Sequence, residues 1–567
     1  VAEAAPLQFS GLNNEGRKFI SPHLRVGMTI YPLWTPKPFR FAGERSSAAR
    51  RIDWYPDQTE ASILSFQWSK QMGQPSGQWT AVIKAKTQGY GTLLHQVTQS
   101  TMNFDDQAVV DGDWVDIAVL RNGIRIPLCR GVIDSVRKST ISAGGATVVT
   151  YTLTGRDHGA FFEYPITWNS IWARTLNETV SGLFTERVKG RVGGRPDELF
   201  KALIDGTFQG AVTAGVPSGQ WKLPPSLFDR LGQSSARLHD ILKIVSFSAI
   251  KGETGLRGAY YNEPQLWTVG EQSLHQTLSQ WVNPVLNEWW YDLLPPRNFM
   301  PPHGLDGFLD VAPVTVVEPL TDPALIEESQ AAFQASLVPR TVSPGYKQTL
   351  TSENEQFGTI AAIIRERPFP TLAQGRNAMW YGLPTWYVPT WLIQNSDLGR
   401  GGQERFNLFE LLADFGLGSQ SEQATVARPM WHREDIEQHG LRSYSQSVRF
   451  FAQDGKGIGD WLDERNRWLN ILRDWFAPNP YLRQGHVTVK TMLPEIRIGQ
   501  RLILDHDDPK QQEQFYIEGV NLQYQAPSQG AGATGSTTLV LTRGFRGQDQ
   551  DLISATSEIS DVYKDVF

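Results

Sequence analysis

Gly112-Asp113-Trp114-Val115-Asp116-Ile117, then Gly131-Val132-Ile133, then Thr150-Tyr151-Thr152-Leu153-Thr154-Gly155, has a counterpart near the other end of the chain. There Gly499-Gln500-Arg501-Leu502-Ile503-Leu504 leads to Gly519-Val520-Asn521 and to Thr538-Leu539-Val540-Leu541-Thr542-Arg543-Gly544. The second glycine follows the first by 19 residues in one copy and 20 in the other, and the closing threonine, Thr154 or Thr542, lies 23 residues beyond it in both. Each copy reads as a glycine turn, a strand, a hairpin strand, a loop and a Thr-rich closing strand. Antiparallel strands of this kind can curl into a small barrel, which removes exposed edges. The sequence therefore predicts a mainly β fold with α/β segments, in which two related small β-barrel domains are separated by mixed α/β domains.

Outward from these copies, residues 1–58 carry Arg and Pro with weak periodicity and read as an irregular N-terminal arm. Strand alternation begins with Ile63, Leu64, Phe66 and Trp68, passes the turn cluster Gly73-Gln74-Pro75-Ser76-Gly77, and resumes at Trp79, Ala81, Ile83 and Ala85. This places a first barrel domain over 59–168. A mixed helical domain over 169–294 follows, with helices predicted around Ile171, Leu176, Val180 and Leu183 and again after Ser235, where Leu238, Ile241, Leu242 and Val245 share a face. Residues 295–350 read as a Pro-rich linker with a short helix capped by Asp322 and opened by Pro323. Residues 351–458 read as mixed α/β. Residues 459–545 combine a helix, Asp460 to Phe476, with the second barrel; Trp461, Trp468 and Trp475 recur on that helix every seven residues and Pro478 stops it. Residues 546–567 form a polar tail.

The 567-residue chain is long enough for several cores without disulfides or metal. Its single cysteine, Cys129, excludes an intrachain disulfide framework and a Cys-based zinc site, and its apolar surroundings Ile126-Pro127-Leu128 suit a buried thiol. A net charge of -6 argues against a dedicated nucleic-acid binder. No signal-peptide pattern and no apolar run of about 20 residues is present, so a soluble protein made in a reducing cytoplasm, with no membrane anchor, is expected. The aromatic content, with 19 Trp, fits strands and large subunit interfaces, or a carbohydrate surface.

Signals for chemistry are weak. Gly530-Ala531-Gly532-Ala533-Thr534-Gly535 matches a dinucleotide fingerprint but lies between two strands with no helix after it. The acids Asp105-Asp106, Asp111/Asp113 and Asp505/Asp507-Asp508 sit in turn-like sequence, unlike a carboxylate pair placed across a scissile bond. His432 and His439 are seven apart, but Gly440 follows directly, and no serine nucleophile motif occurs. No catalytic, cofactor-binding or metal-ligating residue is assigned, and no cofactor is expected. The alternative with most substance is a receptor-binding or polysaccharide-processing component, with Trp380, Trp386 and Trp391 beside Tyr381 and Tyr387 as a sugar-stacking platform.

Two similar barrels per chain have a natural use, because three such chains around an axis present six similar units to a sixfold partner. Several segments then carry a resemblance to a known family. Pro494-Glu495-Ile496-Arg497-Ile498-Gly499-Gln500-Arg501-Leu502, Phe515-Tyr516-Ile517-Glu518-Gly519-Val520 and Thr537-Thr538-Leu539-Val540-Leu541-Thr542-Arg543-Gly544 resemble consecutive strands of the tail hub proteins of contractile-tailed phages and the late-control protein D group. That group is related to the hub part of type VI secretion spikes. Upstream, Asn283-Pro284 with Asn287-Glu288-Trp289-Trp290-Tyr291-Asp292, Arg367-Pro368-Phe369 with Trp380, and Gly440-Leu441-Arg442 resemble further segments in the same order, with His439 where the family carries tyrosine. Gly155-Arg156-Asp157 resembles the end of the first barrel.

The resemblance implies tube-type barrels and a non-enzymatic virion structural protein: a homotrimeric baseplate hub and symmetry adaptor at the tail tip, assembled in the host cytoplasm. Its partners would be the tail tube or a distal tail protein on one face and spike or tail-fibre proteins on the other, with the genome passing through the lumen during ejection.

Overall fold

The computed structural model describes residues 24–33, 50–52, 61–85, 109–121, 124–143, 146–167, 238–247, 271–281, 287–294, 358–368, 383–401, 405–413, 430–448, 472–505, 512–527 and 532–546, together with positions 200, 204, 223, 224, 227, 380, 469, 470 and 549. The strands are β1 (Arg25–Tyr31), β2 (Arg50–Ile52), β3 (Ala61–Gln71), β4 (Gln78–Ala85), β5 (Trp114–Arg121), β6 (Ile124–Ala143), β7 (Ala146–Asp157), β8 (Pro165–Thr167), β9 (Lys243–Phe247), β10 (Glu271–Ser273) and β11 (Asn287–Leu294). The remaining ones are β12 (Thr359–Glu366), β13 (Thr385–Pro389), β14 (Ile393–Arg400), β15 (Leu408–Ala413), β16 (Met430–Trp431), β17 (Ser443–Val448), β18 (Arg483–Val489), β19 (Arg501–Asp505), β20 (Glu513–Gln525) and β21 (Thr534–Arg546). The helices whose bounds fall among the described residues are α1 (Ala160–Glu163), α2 (Leu238–Ile241), α3 (Leu274–Trp281) and α4 (Arg433–His439).

Thirteen strands form one sheet, with the path β14-β18-β21-β20-β3-β4-β7-β6-β5-β1-β2 and with β19 and β13 branching from β20. Two equivalent units lie within it. The first runs β3-β4-β7-β6-β5 and the second β14-β18-β21-β20-β19, every neighbour antiparallel and the chain order the same in both. The sheets curl as half-barrels.

The likeness extends to irregularities. The outer strand slips register between Ile63 and Ser65 in one unit and between Ile393 and Asn395 in the other. The long strand slips just after Ile133 and just after Ile517. Bulges bend a strand at a defined point, so two at matching positions are a structural signature rather than noise. The opening turns match as well. Gly112 N–H donates to Ile133 O at 2.8 Å and Ile133 N–H to Asp113 O at 2.9 Å, while Gly499 donates to Ile517 O at 2.8 Å and Ile517 to Gln500 O at 3.0 Å.

Gly112 and Gly499 both have a left-handed backbone, φ 82° and 77°. A Cβ disfavours that region, so alanine at either position is expected to cost about 1–2 kcal/mol. Gly499→Ala should cost more, because its Cβ would also meet Trp290 and Arg365 at 3.0 Å. Urea midpoints of the two variants check the ranking.

These pairings correct the register of the duplication read from sequence. Ile133 matches Ile517, so Gly519 falls on Ser135, four residues past the Gly131 to which spacing had matched it. The two glycines serve different local needs. A Cβ on Gly131 would lie 2.0 Å from Arg156 O, whereas one on Gly519 would meet the Val540 side chain. The spacing also missed the outer hairpin of the second unit, because β14 falls inside the segment read as mixed α/β.

The N-terminal arm also needs correcting, since β1 within it pairs along its whole length with β5. Its Val26, Met28 and Ile30 are fully buried. Beyond the matched strands the units diverge: the first adds β1 antiparallel to β5, the second adds β13 parallel to β19.

A three-stranded sheet, β11-β12-β9, lies against the large one. Its faces alternate between two cores. Trp290, Ala361 and Ile363 join the main core, while Tyr291, Leu293, Ile360, Ala362 and Ile364 pack with Phe161, Phe162, Leu238, Leu274 and Leu278 in a second. The helix predicted after Ser235 ends at Ile241, and Val245 lies on strand β9. The run Lys243-Ile244-Val245-Ser246-Phe247 pairs in parallel with β12, and tertiary pairing there overrides helical periodicity. The helix predicted around 171–183, the linker helix at Asp322, and Trp461 and Trp468 lie outside the described residues; 469–470 and 472–476 are helical as expected, with Leu469, Leu472 and Trp475 buried.

Candidate assembly site

The two units meet where β3 pairs antiparallel with β20, from Gly519 opposite Gln71 to Gln525 opposite Ser65. Met72 N–H to Glu518 O at 2.7 Å and Ala526 N–H to Leu64 O at 2.8 Å extend this ladder at both ends. β20 serves two partners along one edge: its first residues pair with β19 and its later ones with β3.

Buried ion pairs lie in the first unit, one of them on the strand that makes this junction. Lys70, on β3, contacts Asp157 Oδ2 at 2.5 Å with both side chains almost wholly buried. Burial pushes the Asp157 carboxyl above its ordinary range, and Lys70 partly offsets that. On the first unit, Asp116 and Arg130 lie opposite each other on β5 and β6 and pair at 2.6 Å, with Tyr31 donating to Asp116 at 3.1 Å.

Two arginines reach between layers. Arg497, in the turn before Gly499, donates to Pro127 O at 2.7 Å and Leu128 O at 2.6 Å on β6, and to Asp292 on β11 at 3.4 Å. Arg365, on β12, donates to Glu288 at 2.7 Å, to Gly499 O at 2.7 Å and to the Tyr516 hydroxyl at 2.8 Å, and lies over the Trp290 ring. Cys129 is buried beside these groups, and burial pushes its thiol well up, which suits an unreactive core residue.

His158 ties the first unit to β12 through a 3.0 Å contact from Nε2 to Ala361 O. Burial, then the nearby Lys70 charge, pushes it down to about 4. The unfolded chain takes up a proton near the ordinary histidine range while the folded chain stays neutral until about pH 4, so this group's stability is present above pH 6.5 and lost as pH falls toward 4. The loss amounts to about 3 kcal/mol. His158→Gln keeps an amide donor for Ala361 and is expected to flatten that part of the stability–pH curve, read as urea midpoints at pH 7 and pH 4.5 in both proteins.

Of the residues singled out for chemistry, Asp113, His432 and His439 have structural partners. Asp113 is fully buried and accepts from Leu33 N–H at 2.9 Å and Val110 N–H at 3.0 Å. His432 caps α4 by accepting from Asp435 N–H, and His439 lies at the other end of that helix, 3.3 Å from Asp435. Strands β20 and β21 flank the glycine-rich segment 530–535, whose residues 530 and 531 are outside the described set, as are Asp105, Asp106, Asp507 and Asp508. Among the described residues no group of His, Cys, Asp and Glu could hold a metal ion, and no helix is long and apolar enough to cross a membrane.

The tryptophan platform is corrected by burial. Trp380 is 0% exposed, its indole donating to Gln514, and packs on Tyr516 and Phe545. Trp386 is 4% exposed and donates to Gln500 at 2.7 Å. Stacking a sugar needs an open ring face, and of these three only Trp391, 41% exposed, has one. Sequence reading missed Arg365, Arg497 and Arg543, whose guanidinium lies 3.4 Å from the Trp475 centroid. The only local sign was an arginine inside an apolar strand pattern.

No family model and no curated protein matches the chain. Among solved structures, it is similar to a tail protein from Neisseria meningitidis at 11% identity and TM-score 0.41, covering 92% of this chain and 96% of that one. A 43 kDa tail protein of prophage MuSo2 from Shewanella oneidensis shows 9% identity and TM-score 0.40, with 92% and 98% covered. An E. coli component of the type VI secretion system, described as similar to T4 bacteriophage tail proteins, shows 9% identity and TM-score 0.33, with 86% and 76% covered. The structural neighbours of this chain are phage tail proteins and type VI secretion components.

Proposed function

We propose that this chain is a structural hub subunit of a phage-type tail or baseplate, without catalytic activity of its own. It trimerises into a pseudo-sixfold ring in the virion, joining the tail tube to the spike or tail tip and letting the genome pass through the lumen. The observation that carries this reading is the tandem repeat. One chain holds two units with the same strand order, the same two bulges and the same glycine turn, joined edge to edge in one sheet. A repeat joined head to tail is half-way to a ring, and three copies supply six units.

The segments that resemble tail hub proteins support the same reading, since they fall on the repeat and on the sheet packed against it. Phe515–Val520 lies on β20, Thr537–Gly544 on β21, and Asn287–Asp292 on β11. Class averages of the purified full chain by electron microscopy test the proposal. A threefold ring with six peripheral lobes and an open axis is expected; compact monomers or a twofold dimer would overturn it.

A further inference from the structure

Among the described residues, four ion pairs with both side chains less than a tenth exposed use arginine: Arg130–Asp116, Arg365–Glu288, Arg473–Asp474 and Arg497–Asp292. A fifth, Lys70–Asp157, uses lysine, and its side chains are 0% and 3% exposed. The distinction is chemical. A guanidinium stays charged and is no nucleophile, whereas a lysine that hands a proton to its neighbour becomes a primary amine.

The surroundings of this pair hold the amine against the carboxyl. Lys70 lies on β3 and Asp157 at the end of β7, with β4 between them in the sheet. Gly77, just before β4, lets the lysine stem pass: a Cβ there would lie 2.8 Å from Asp157 Oδ2 and 2.9 Å from Lys70 Cδ. Nζ donates to Oδ2 at 2.5 Å and to Pro75 O at 3.3 Å. It is then one carbon–oxygen bond further from Cγ, close to the ~3–3.5 Å separation of a near-attack arrangement. Gly159 N–H donates to the other carboxyl oxygen, Oδ1, at 2.9 Å. A fixed backbone donor there faces the oxygen on which negative charge gathers when Cγ is attacked. Burial favours the protonated acid of Asp157, the form that can lose an oxygen as water. Asp292 on β11 is buried too, and both Lys70 and Asp157 act on its carboxyl, which makes it a local proton carrier.

We infer that Lys70 and Asp157 condense into an isopeptide bond, a covalent staple laid over the start of β4 that ties the junction strand β3 to β7. Asp157 first takes one proton from the Lys70 ammonium, leaving an amine and a carboxylic acid. Nζ then bonds to Cγ and the Cγ–Oδ2 bond breaks. Oδ2 departs as water with its own proton and one from the nitrogen, and the amide keeps the last N–H. Nothing is oxidised or reduced, and no co-reactant enters. The product replaces two buried charges with a neutral amide, which removes their desolvation cost. Because β3 also carries the ladder to β20, the staple sits at the joint between the two units and resists peeling of β3 from the first. This inference goes beyond the hub reading and does not depend on it.

The intact mass of the purified full chain, measured under denaturing conditions, tests it. The expected mass is that of the sequence less one water. A tryptic digest should contain residues 52–84, uncleaved at Lys70, joined to residues 157–174. Lys70→Arg keeps a charge partner for Asp157 but has no amine to react, and its mass should equal its own sequence. A full-sequence mass for the unaltered chain, with free peptides ending and beginning at Lys70, overturns the inference. So does a water loss that persists in Lys70→Arg, which would place the dehydration elsewhere. The digest of the unaltered chain decides the question even where the variant folds poorly.

Discussion

Arg497→Met is expected to lower the stability of the full chain by about 3–5 kcal/mol, the range for removing one partner of a buried ionic cluster. Arg497 is 2% exposed and lies over the Trp68 ring. Its two outer nitrogens hold the Pro127 and Leu128 carbonyls, where β6 slips against β5 between Ile117 and Ala118. A slip leaves carbonyls out of the ladder, and a buried carbonyl without a donor costs about 1–3 kcal/mol. Methionine fills the volume and supplies no donor, leaving both carbonyls bare and Asp292 without its arginine. Lysine keeps the charge but lacks the planar fork, so Arg497→Lys should recover roughly half. Urea titration followed by tryptophan fluorescence reads both; a loss under about 1 kcal/mol for Arg497→Met would contradict this account of the junction.

The second large effect is at Arg365, and a pair of variants separates charge from packing. Arg365 and Glu288 lie directly opposite on β12 and β11. Tyr516 joins them, accepting from Arg365 and donating to Glu288 at 2.8 Å. Burial pushes the Tyr516 hydroxyl well above its ordinary range, so it remains a donor at any workable pH. Arg365→Met alone strands the Glu288 carboxylate, 7% exposed, and should cost about 3–5 kcal/mol. Adding Glu288→Leu removes the stranded charge, and the double variant should be more stable than the Arg365 single variant by at least about 1 kcal/mol. If the double variant is the less stable of the two, the cost lies in lost packing on Trp290 rather than in an unpaired charge.

Much of the fold was legible in local pattern. Alternation at Trp114–Leu120, at Trp79–Ala85 and at Val487 and Val489 marks real strands, and Gly112 and Gly499 mark the same turn in two copies. What failed were inferences that needed partners distant in the chain. The β1 run Arg25-Val26-Gly27-Met28-Thr29-Ile30-Tyr31 alternates, but its Arg- and Pro-rich flanks hid it, and only pairing with β5 some 90 residues on reveals it as a core strand. Glycine spacing put Gly131 on Gly519 because sequence cannot distinguish a glycine that admits a neighbouring backbone from one that admits a side chain.

The candidate assembly site was less legible than the fold. Arg497 reaches carbonyls about 370 residues away, and no periodicity encodes such a contact. The tryptophans at 380–391 fitted packing and left a sugar platform as the alternative, because aromatic clustering is the same in both; burial of Trp380 and Trp386 separates the two. The shared sheet was illegible too. Two barrels were expected as separate domains, but which edge of one meets which edge of the other depends on tertiary register alone.

The use proposed for the tandem repeat is a closed ring of three chains. Multi-angle light scattering of the purified full chain, across a range of concentrations, measures this most directly. A mass three times that of the chain, held on dilution, is the predicted result. A mass equal to one chain at every concentration, or a stable dimer, would contradict it.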